Sequence, residues 1–161
     1  MSRNIERAIE YRQEGKHQEA NEMFVKLVIE NPYDASVHYQ CAWSFDVLGK
    51  ESEAVPLYEK AIELGLPSSE LEGALLGLGS TYRTLGKYEK SKGVFLKGLE
   101  QFPNNRAIQV FYAMTLYNLG ENGKAMEYLL TNLVETTSDE SILSYRKAIE
   151  FYSDKLDEVW E

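Results

Sequence analysis

Apolar residues recur along this chain at the three- and four-residue spacing of amphipathic helices, with polar residues between them. Glycines followed by polar residues interrupt the pattern at Gly15, Gly49, Gly86 and Gly120. Each is predicted to end a helix, because the residue just past a helix commonly takes a left-handed conformation that suits glycine. The pattern therefore predicts an all-α chain in which helices follow one another in pairs.

The turn glycines also mark a repeat in the sequence. The intervals are 34 residues from Gly15 to Gly49, 37 from Gly49 to Gly86 and 34 from Gly86 to Gly120. Additional residues at 65–69 account for the longer interval. A period of this length indicates a repeated helix pair, and such pairs must stack because none buries its apolar face alone.

The clearest unit lies between Leu75 and Pro103. It reads Leu75-x-x-Leu78-Gly79-x-x-Tyr82, then Leu85-Gly86-Lys87-Tyr88, Ser91-x-x-x-Phe95 and Pro103. This stretch resembles the tetratricopeptide repeat, whose pattern is W-x-x-L-G-x-x-Y, A-x-x-x-F and a closing P. Two positions differ, since Leu75 stands in the tryptophan slot and Ser91 in the alanine slot.

The resemblance covers about residues 1–137 and implies four repeats, at about 1–34, 35–70, 71–105 and 106–137. A C-terminal capping helix is expected at 138–161. The family's fold is a right-handed α-solenoid. The resemblance therefore implies four helix-turn-helix hairpins plus the capping helix, or about nine helices.

Small residues occupy the positions at which the two helices of each hairpin should approach closely. They are Ala8, Ala42, Gly79 and Ala113 in the first helices, and Ala20, Ala54, Ser91 and Ala125 in the second. Aromatic side chains are expected to fill the space between hairpins: Tyr11, Phe24, Phe45, Tyr58, Tyr82 and Phe95.

Residues 139–160 are predicted to form one amphipathic helix, interpreted as the first helix of a fifth unit. Its apolar stripe comprises Ile142, Tyr145, Ile149, Tyr152, Leu156 and Trp160. Leu143 and Phe151 lie roughly opposite that stripe, where they would form a modest self-association surface. Alternatively, Phe151 packs beneath the helix at 122–135 or is simply a tolerated exposed ring.

Composition narrows the classes of partner. The chain has 161 residues, a formal net charge of -9 and a pI near 4.8, so nucleic acid is not an expected partner. No stretch approaches the roughly 20 apolar residues of a membrane span, and the segment Met1–Arg7 has no apolar run of a secretory signal. Cys41 is the only cysteine, which excludes an intrachain disulfide and fits a cytoplasmic location.

No grouping of residues indicates catalysis, a metal site or a cofactor. His38 and Cys41 are three residues apart on one helix, but a zinc site wants about four ligands. Cys41 occupies the leucine slot of its repeat and is expected to be a buried, inert thiol. His17 is expected to be a solvated side chain in a turn. The chain is therefore not expected to be an enzyme.

A column of first-helix residues flanks the small packing positions. In the family that this chain resembles, such positions line a concave groove that holds peptides or helices. The resemblance implies a peptide-binding groove formed by Ile5, Ile9, Arg12, Tyr39, Trp43, Asp46, Leu76, Arg83, Val110, Met114 and Tyr117. The alternative is that these side chains only pack between neighbouring first helices.

Some members of the family grip chaperone C-termini with a lysine and asparagine clamp. The corresponding slots hold Ile5 and Ile9 in the first repeat, and Tyr39 and Trp43 in the second. An apolar groove suits an amphipathic helix or a hydrophobic peptide better than a free carboxylate tail. The leading hypothesis is thus a protein- or peptide-binding adaptor. The alternative is a self-assembling module, and the expected state is a monomer or weak homodimer.

Overall fold

The computed structural model describes residues 3–161, and no strand occurs among them, which confirms the all-α prediction. Met1 and Ser2, which belong to the N-terminal segment and to the first predicted repeat, lie outside the described residues. The helices are α1 (Arg3–Gln13), α2 (His17–Glu30), α3 (Ala35–Val47), α4 (Glu51–Leu64), α5 (Ser68–Thr84), α6 (Tyr88–Gln101), α7 (Arg106–Asn118), α8 (Asn122–Thr136), α9 (Glu140–Leu143) and α10 (Arg146–Tyr152). None of the helices in this range has the length and apolar character of a membrane span.

The helices belong to two compact units, which divide between Lys87 and Tyr88. In the first unit, α1 packs on α2, α2 on α3, α3 on α4 and α5, and α4 on α5. Its core includes a cluster formed by Ile5, Ala8, Ala20, Phe24, Leu27, Val37 and Cys41. The Asp34 carboxylate begins α3 by accepting a hydrogen bond from the Val37 backbone N–H at 3.0 Å.

In the second unit, α6 packs on α7, α7 on α8, and α8 on α10. The aromatic rings of Phe95 and Tyr112 lie 6.5 Å apart, and those of Tyr112 and Tyr128 lie 5.4 Å apart at a steep angle. Asn105 caps α7 by accepting a hydrogen bond from the Ile108 backbone N–H at 2.9 Å. These contacts bury one face of α6, α7 and α8.

The turn glycines behave as predicted. Gly49 has a φ of 68°, a conformation in which a side chain would be strained, and Gly15, Gly86 and Gly120 have the same sign of φ. The small residues at the close-contact positions are also confirmed as buried, from Ala8 and Ala20 in the first hairpin to Ala113 and Ala125 in the last.

The prediction of one continuous helix over 139–160 is wrong. The segment breaks into α9 and α10, so the described residues contain ten helices rather than nine. After α10 the chain turns back, which brings the Trp160 ring within 5.3 Å of Tyr152 and 6.1 Å of Phe151. In a continuous helix, eight residues would separate Tyr152 and Trp160 by about 12 Å along the axis.

The predicted inner stripe of this segment is also only partly buried. Ile142 and Ile149 are half-buried, whereas Tyr145, Tyr152, Leu156 and Trp160 are exposed. Ala148 is exposed as well, unlike the alanines at the close-contact positions of the repeats. The segment therefore does not pack as the first helix of a fifth unit.

Candidate functional site

The predicted groove residues of the first unit lie at different depths. Ile5 belongs to the core cluster and Ile9 packs against it, so core packing accounts for both. Tyr39 and Leu76 are half-buried, and Trp43 is 41% exposed. Trp43 is thus the large apolar side chain of this group that is most accessible to a partner.

Three aromatic rings form the centre of this surface. The Tyr39 ring is stacked 6.2 Å from Trp43 and lies 6.3 Å from Tyr58 on α4. Two glycines of α5 receive the tyrosines: a Cβ at Gly73 would collide with the Tyr39 hydroxyl, and one at Gly77 would lie 2.6 Å from the Tyr58 hydroxyl. The glycines therefore allow the rings to lie directly against the α5 backbone.

Arg12, in the last turn of α1, is held beside these rings. Its Nη2 donates a hydrogen bond to Oε1 of Gln40 at 2.8 Å, and its Cζ lies 3.7 Å from the centre of the Trp43 ring. The Phe24 ring is 5.6 Å from the same Cζ. Burial lowers the pKa of Arg12, because an apolar environment disfavours the charged form. The guanidinium remains a cation held by aromatic rings.

Asp46 is the acidic residue of this surface, and its oxygens are occupied. Oδ2 accepts a hydrogen bond from the Tyr58 hydroxyl at 2.9 Å, and Oδ1 accepts one from Thr81 at 3.1 Å. Burial raises the pKa of Asp46, while the two hydrogen bonds lower it. Burial likewise raises the pKa of Tyr58, and the neighbouring Asp46 raises it further. Asp46 therefore links α3, α4 and α5.

The remaining predicted groove residues are more scattered. Arg83 is half-buried near the end of α5. Val110, Met114 and Tyr117 lie on α7 in the second unit, where Val110 is half-buried and the other two are exposed. In the first unit, the structure brings together Arg12, Tyr39, Trp43 and Asp46.

Sequence reasoning missed two members of this site, Gln40 and Tyr58. Tyr58 was predicted only as filler between hairpins, yet its hydroxyl bonds Asp46. Gln40 is buried and orients Arg12. A usable signal was the pair Gly73 and Gly77, one turn apart in a helix, which indicates close approach of neighbouring groups.

The cysteine and the two histidines, which were considered as candidates for chemistry, are all at least partly buried. Burial raises the pKa of the Cys41 thiol to about 12, which makes the reactive thiolate scarce. The Nδ1 of His38 contacts the Asp34 backbone carbonyl at 2.8 Å. The expectation that His17 is a solvated side chain in a turn is wrong, because His17 begins α2 and is half-buried. Within residues 3–161, no three His, Cys, Asp or Glu side chains are grouped to hold a metal ion.

The two residues of the predicted self-association surface are both accessible. Leu143 on α9 is 38% exposed and Phe151 on α10 is 51% exposed. The Phe151 ring is also packed edge-on against Tyr152 at 5.1 Å, and the Lys155 ammonium lies 4.9 Å from its centre. Phe151 is thus one edge of an exposed aromatic cluster with Tyr152 and Trp160.

Comparisons with known proteins identify a matching family model and related sequences. A family model described as a tetratrico peptide repeat matches residues 35–156. An Hsp70-Hsp90 organising protein of Plasmodium falciparum is 25% identical over 145 residues, which cover 89% of this chain and 55% of that protein. Superkiller protein 3 of Saccharomyces cerevisiae is 27% identical over 106 residues, 62% of this chain and 7% of that protein. The chain thus spans about half or less of these relatives.

Solved structures share the fold at low sequence identity. MamA of Desulfovibrio magneticus superposes with a TM-score of 0.74 at 13% identity, covering 98% of this chain and 89% of that one. YrrB, a TPR protein with an unusual peptide-binding site, gives a TM-score of 0.71 at 19% identity, covering 88% and 71%. These likenesses confirm the fold class predicted from the repeats.

Proposed function

Because this chain belongs to the tetratricopeptide repeat family, we propose that it is an adaptor that binds an apolar or helical peptide segment of a partner protein. The fold is that of protein–protein interaction scaffolds. The proposed contact surface is formed by Arg12, Tyr39, Trp43 and Leu76 of the first unit. Val110, Met114 and Tyr117 belong to the second unit, and their part in binding stays a prediction.

The observation that carries the proposal is the environment of Trp43. The Trp43 ring is 41% exposed, and it is stacked on Tyr39 and on the Arg12 guanidinium. Tryptophan, tyrosine and arginine dominate binding energies at interfaces, because they bury much area at a small entropic cost. An aromatic surface of this kind suits the apolar face of a helix.

Similarity to an Hsp70-Hsp90 organising protein does not extend the proposal to chaperone tails. The slots that would carry the clamp's lysine and asparagine hold Ile5, Ile9, Tyr39 and Trp43. None of these side chains carries a positive charge to pair with a terminal carboxylate. Because the clamp's lysine and asparagine are absent, the proposed ligand is an internal segment with an apolar face rather than a chain end held by that clamp.

The test uses a display library of randomised, helix-forming peptides selected on the purified chain. The affinity of the best binder is then measured by calorimetry for the parent, for Trp43→Ala and for Tyr33→Ala. Trp43→Ala should weaken binding at least about tenfold, because truncating an aromatic anchor typically costs about 2 kcal/mol. Tyr33 is an exposed aromatic residue outside the surface and serves as the matched control. Equal affinity for parent and Trp43→Ala would refute the surface.

A second candidate function is self-assembly through Leu143 and Phe151. The exposed aromatic cluster of Phe151, Tyr152 and Trp160 favours it, because contiguous apolar surface commonly marks an interface. Molar mass measured by light scattering over a concentration series should then rise toward a dimer, and Phe151→Glu should abolish the rise while leaving helix content unchanged. A dimer that survives Phe151→Glu with the same dissociation constant would place its interface elsewhere.

A further inference from the structure

Of the two Nη atoms of the Arg12 guanidinium, Nη2 donates a hydrogen bond and Nη1 does not. Its Nη2 is fixed by Gln40, whose side chain is itself buried, and its face is covered by Trp43. Its Nη1 is shielded from solvent and has no hydrogen-bond acceptor among residues 3–161. A buried donor without an acceptor is unfavourable, and more so when it is charged.

The charge of Arg12 is also not balanced locally. The chain contains 26 acidic residues, yet none of those described forms an ion pair with Arg12. By contrast, Arg106 pairs with Glu135 at 2.7 Å and Arg146 pairs with Glu150 at 2.7 Å. Asp46, the acidic residue of the same surface, already accepts hydrogen bonds from Tyr58 and Thr81. Among residues 3–161, the Arg12 cation therefore has no counter-ion.

We propose that Arg12 binds an aspartate or glutamate side chain of the partner segment, beside the apolar residue that packs on Trp43. This inference rests on the proposed function, since it adds a polar contact to the same surface. A guanidinium whose orientation is already fixed recognises a carboxylate well, because its planar N–H groups match the carboxylate oxygens. The partner would thus be an amphipathic segment with an acidic residue next to its apolar face.

Trp43 controls access to the unpaired nitrogen. Its ring lies over the guanidinium and is 41% exposed. A ligand that moves the ring aside exposes Nη1, and the displaced ring then packs on the ligand's apolar side chain. The carboxylate and the apolar contact are therefore engaged together.

The experiment takes the best peptide from the library selected on the parent chain and a synthetic analogue in which its acidic residue is replaced by the amide. Affinities of both peptides are measured by calorimetry for the parent, Arg12→Met and Arg7→Met. The amide analogue should bind the parent about tenfold more weakly, since a hydrogen-bonded charge pair is lost. The same replacement should have no effect on binding to Arg12→Met.

Arg7→Met is the matched control. Arg7 lies on the same helix, its Nη2 donates to the Tyr11 hydroxyl at 3.0 Å, and its removal changes the net charge equally. The amide analogue should therefore bind Arg7→Met about tenfold more weakly than the original peptide does, as on the parent. If Arg12→Met fails to fold by circular dichroism, Arg12→Lys replaces it, because lysine keeps the charge but lacks the forked nitrogens.

The outcomes separate the inference from the proposed function. The role of Arg12 is overturned if the selected peptides contain no acidic residue. It is also overturned if the amide analogue loses the same factor in affinity for the parent and for the Arg12 variant. The adaptor function would survive that result provided that Trp43→Ala weakens binding. A library that yields no binder to the parent, or binders indifferent to Trp43→Ala, overturns both.

Discussion

Replacing Gly77 by alanine tests the packing on which the candidate surface depends. A Cβ at Gly77 would lie 2.6 Å from both Cζ and the hydroxyl oxygen of Tyr58. Ordinary carbon contacts are about 3.5–4.0 Å, so the ring would have to retreat by about 1 Å. Tyr58 is 2% exposed and its hydroxyl is bonded to Asp46 at 2.9 Å, which leaves the ring little freedom to move.

The change in unfolding free energy for Gly77→Ala is the sum of two opposing contributions. Overpacking a well-filled site costs about 1–3 kcal/mol. Alanine in place of glycine inside a helix returns about 1 kcal/mol. We therefore expect Gly77→Ala to lower the free energy of unfolding by about 1 kcal/mol, the middle of the resulting range of about 0–2 kcal/mol.

Gly93→Ala provides the comparison. Gly93 also lies inside a helix, α6, but an added Cβ there would meet nothing within 4 Å. The substitution should stabilise by about 0.5–1 kcal/mol through helix propensity alone. Guanidinium titrations followed by circular dichroism would give the opposite shifts, and hydrogen exchange of α4 and α5 amides would localise the loss in Gly77→Ala. If Gly77→Ala is stabilised as much as Gly93→Ala, the Tyr58 ring does not lie against α5.

The buried Cys41 thiol, whose pKa burial raises to about 12, should react with a thiol reagent only after denaturant is added; rapid labelling of the native chain at neutral pH would contradict its burial. Burial raises the pKa of Asp46 above its ordinary value of 3.8, so this group favours the folded state most at low pH and loses that contribution as pH rises through the folded pKa. As pH rises from below 3.8 to above the folded pKa of Asp46, the unfolding free energy of the parent should therefore fall relative to that of Asp46→Asn, whose side chain does not titrate. Parallel pH profiles of the two proteins would rule out a raised pKa.

Local sequence signals predicted most of the fold. The left-handed glycines and the small residues of each hairpin act through backbone conformation and close helix contact, which depend on the residue itself. The prediction of one continuous C-terminal helix failed because helical spacing does not reveal which rings will pack on one another. Helical spacing of Tyr152 and Trp160 is present in the sequence, but the packing of the two rings on one another favours a chain that turns back.

The candidate site was predictable only in outline. Trp43 and Tyr39 followed from their column positions, whereas Ile5 and Ile9 in the same column are core residues. The position of a residue in the column predicts the direction of its side chain but not how deeply neighbouring residues bury it. The roles of Gln40 and Tyr58 could not be predicted because each depends on a partner, Arg12 or Asp46, on a different helix.

The two tryptophans of the chain are distributed one to each compact unit, Trp43 in the first and Trp160 in the second. Each therefore provides an intrinsic fluorescence reporter for the unit that contains it. With Trp160→Phe, emission during a denaturant titration would follow the first unit alone, and with Trp43→Phe it would follow the second. Coincident curves would show one cooperative unfolding step, and separated curves would give each unit its own stability, without any added dye or label.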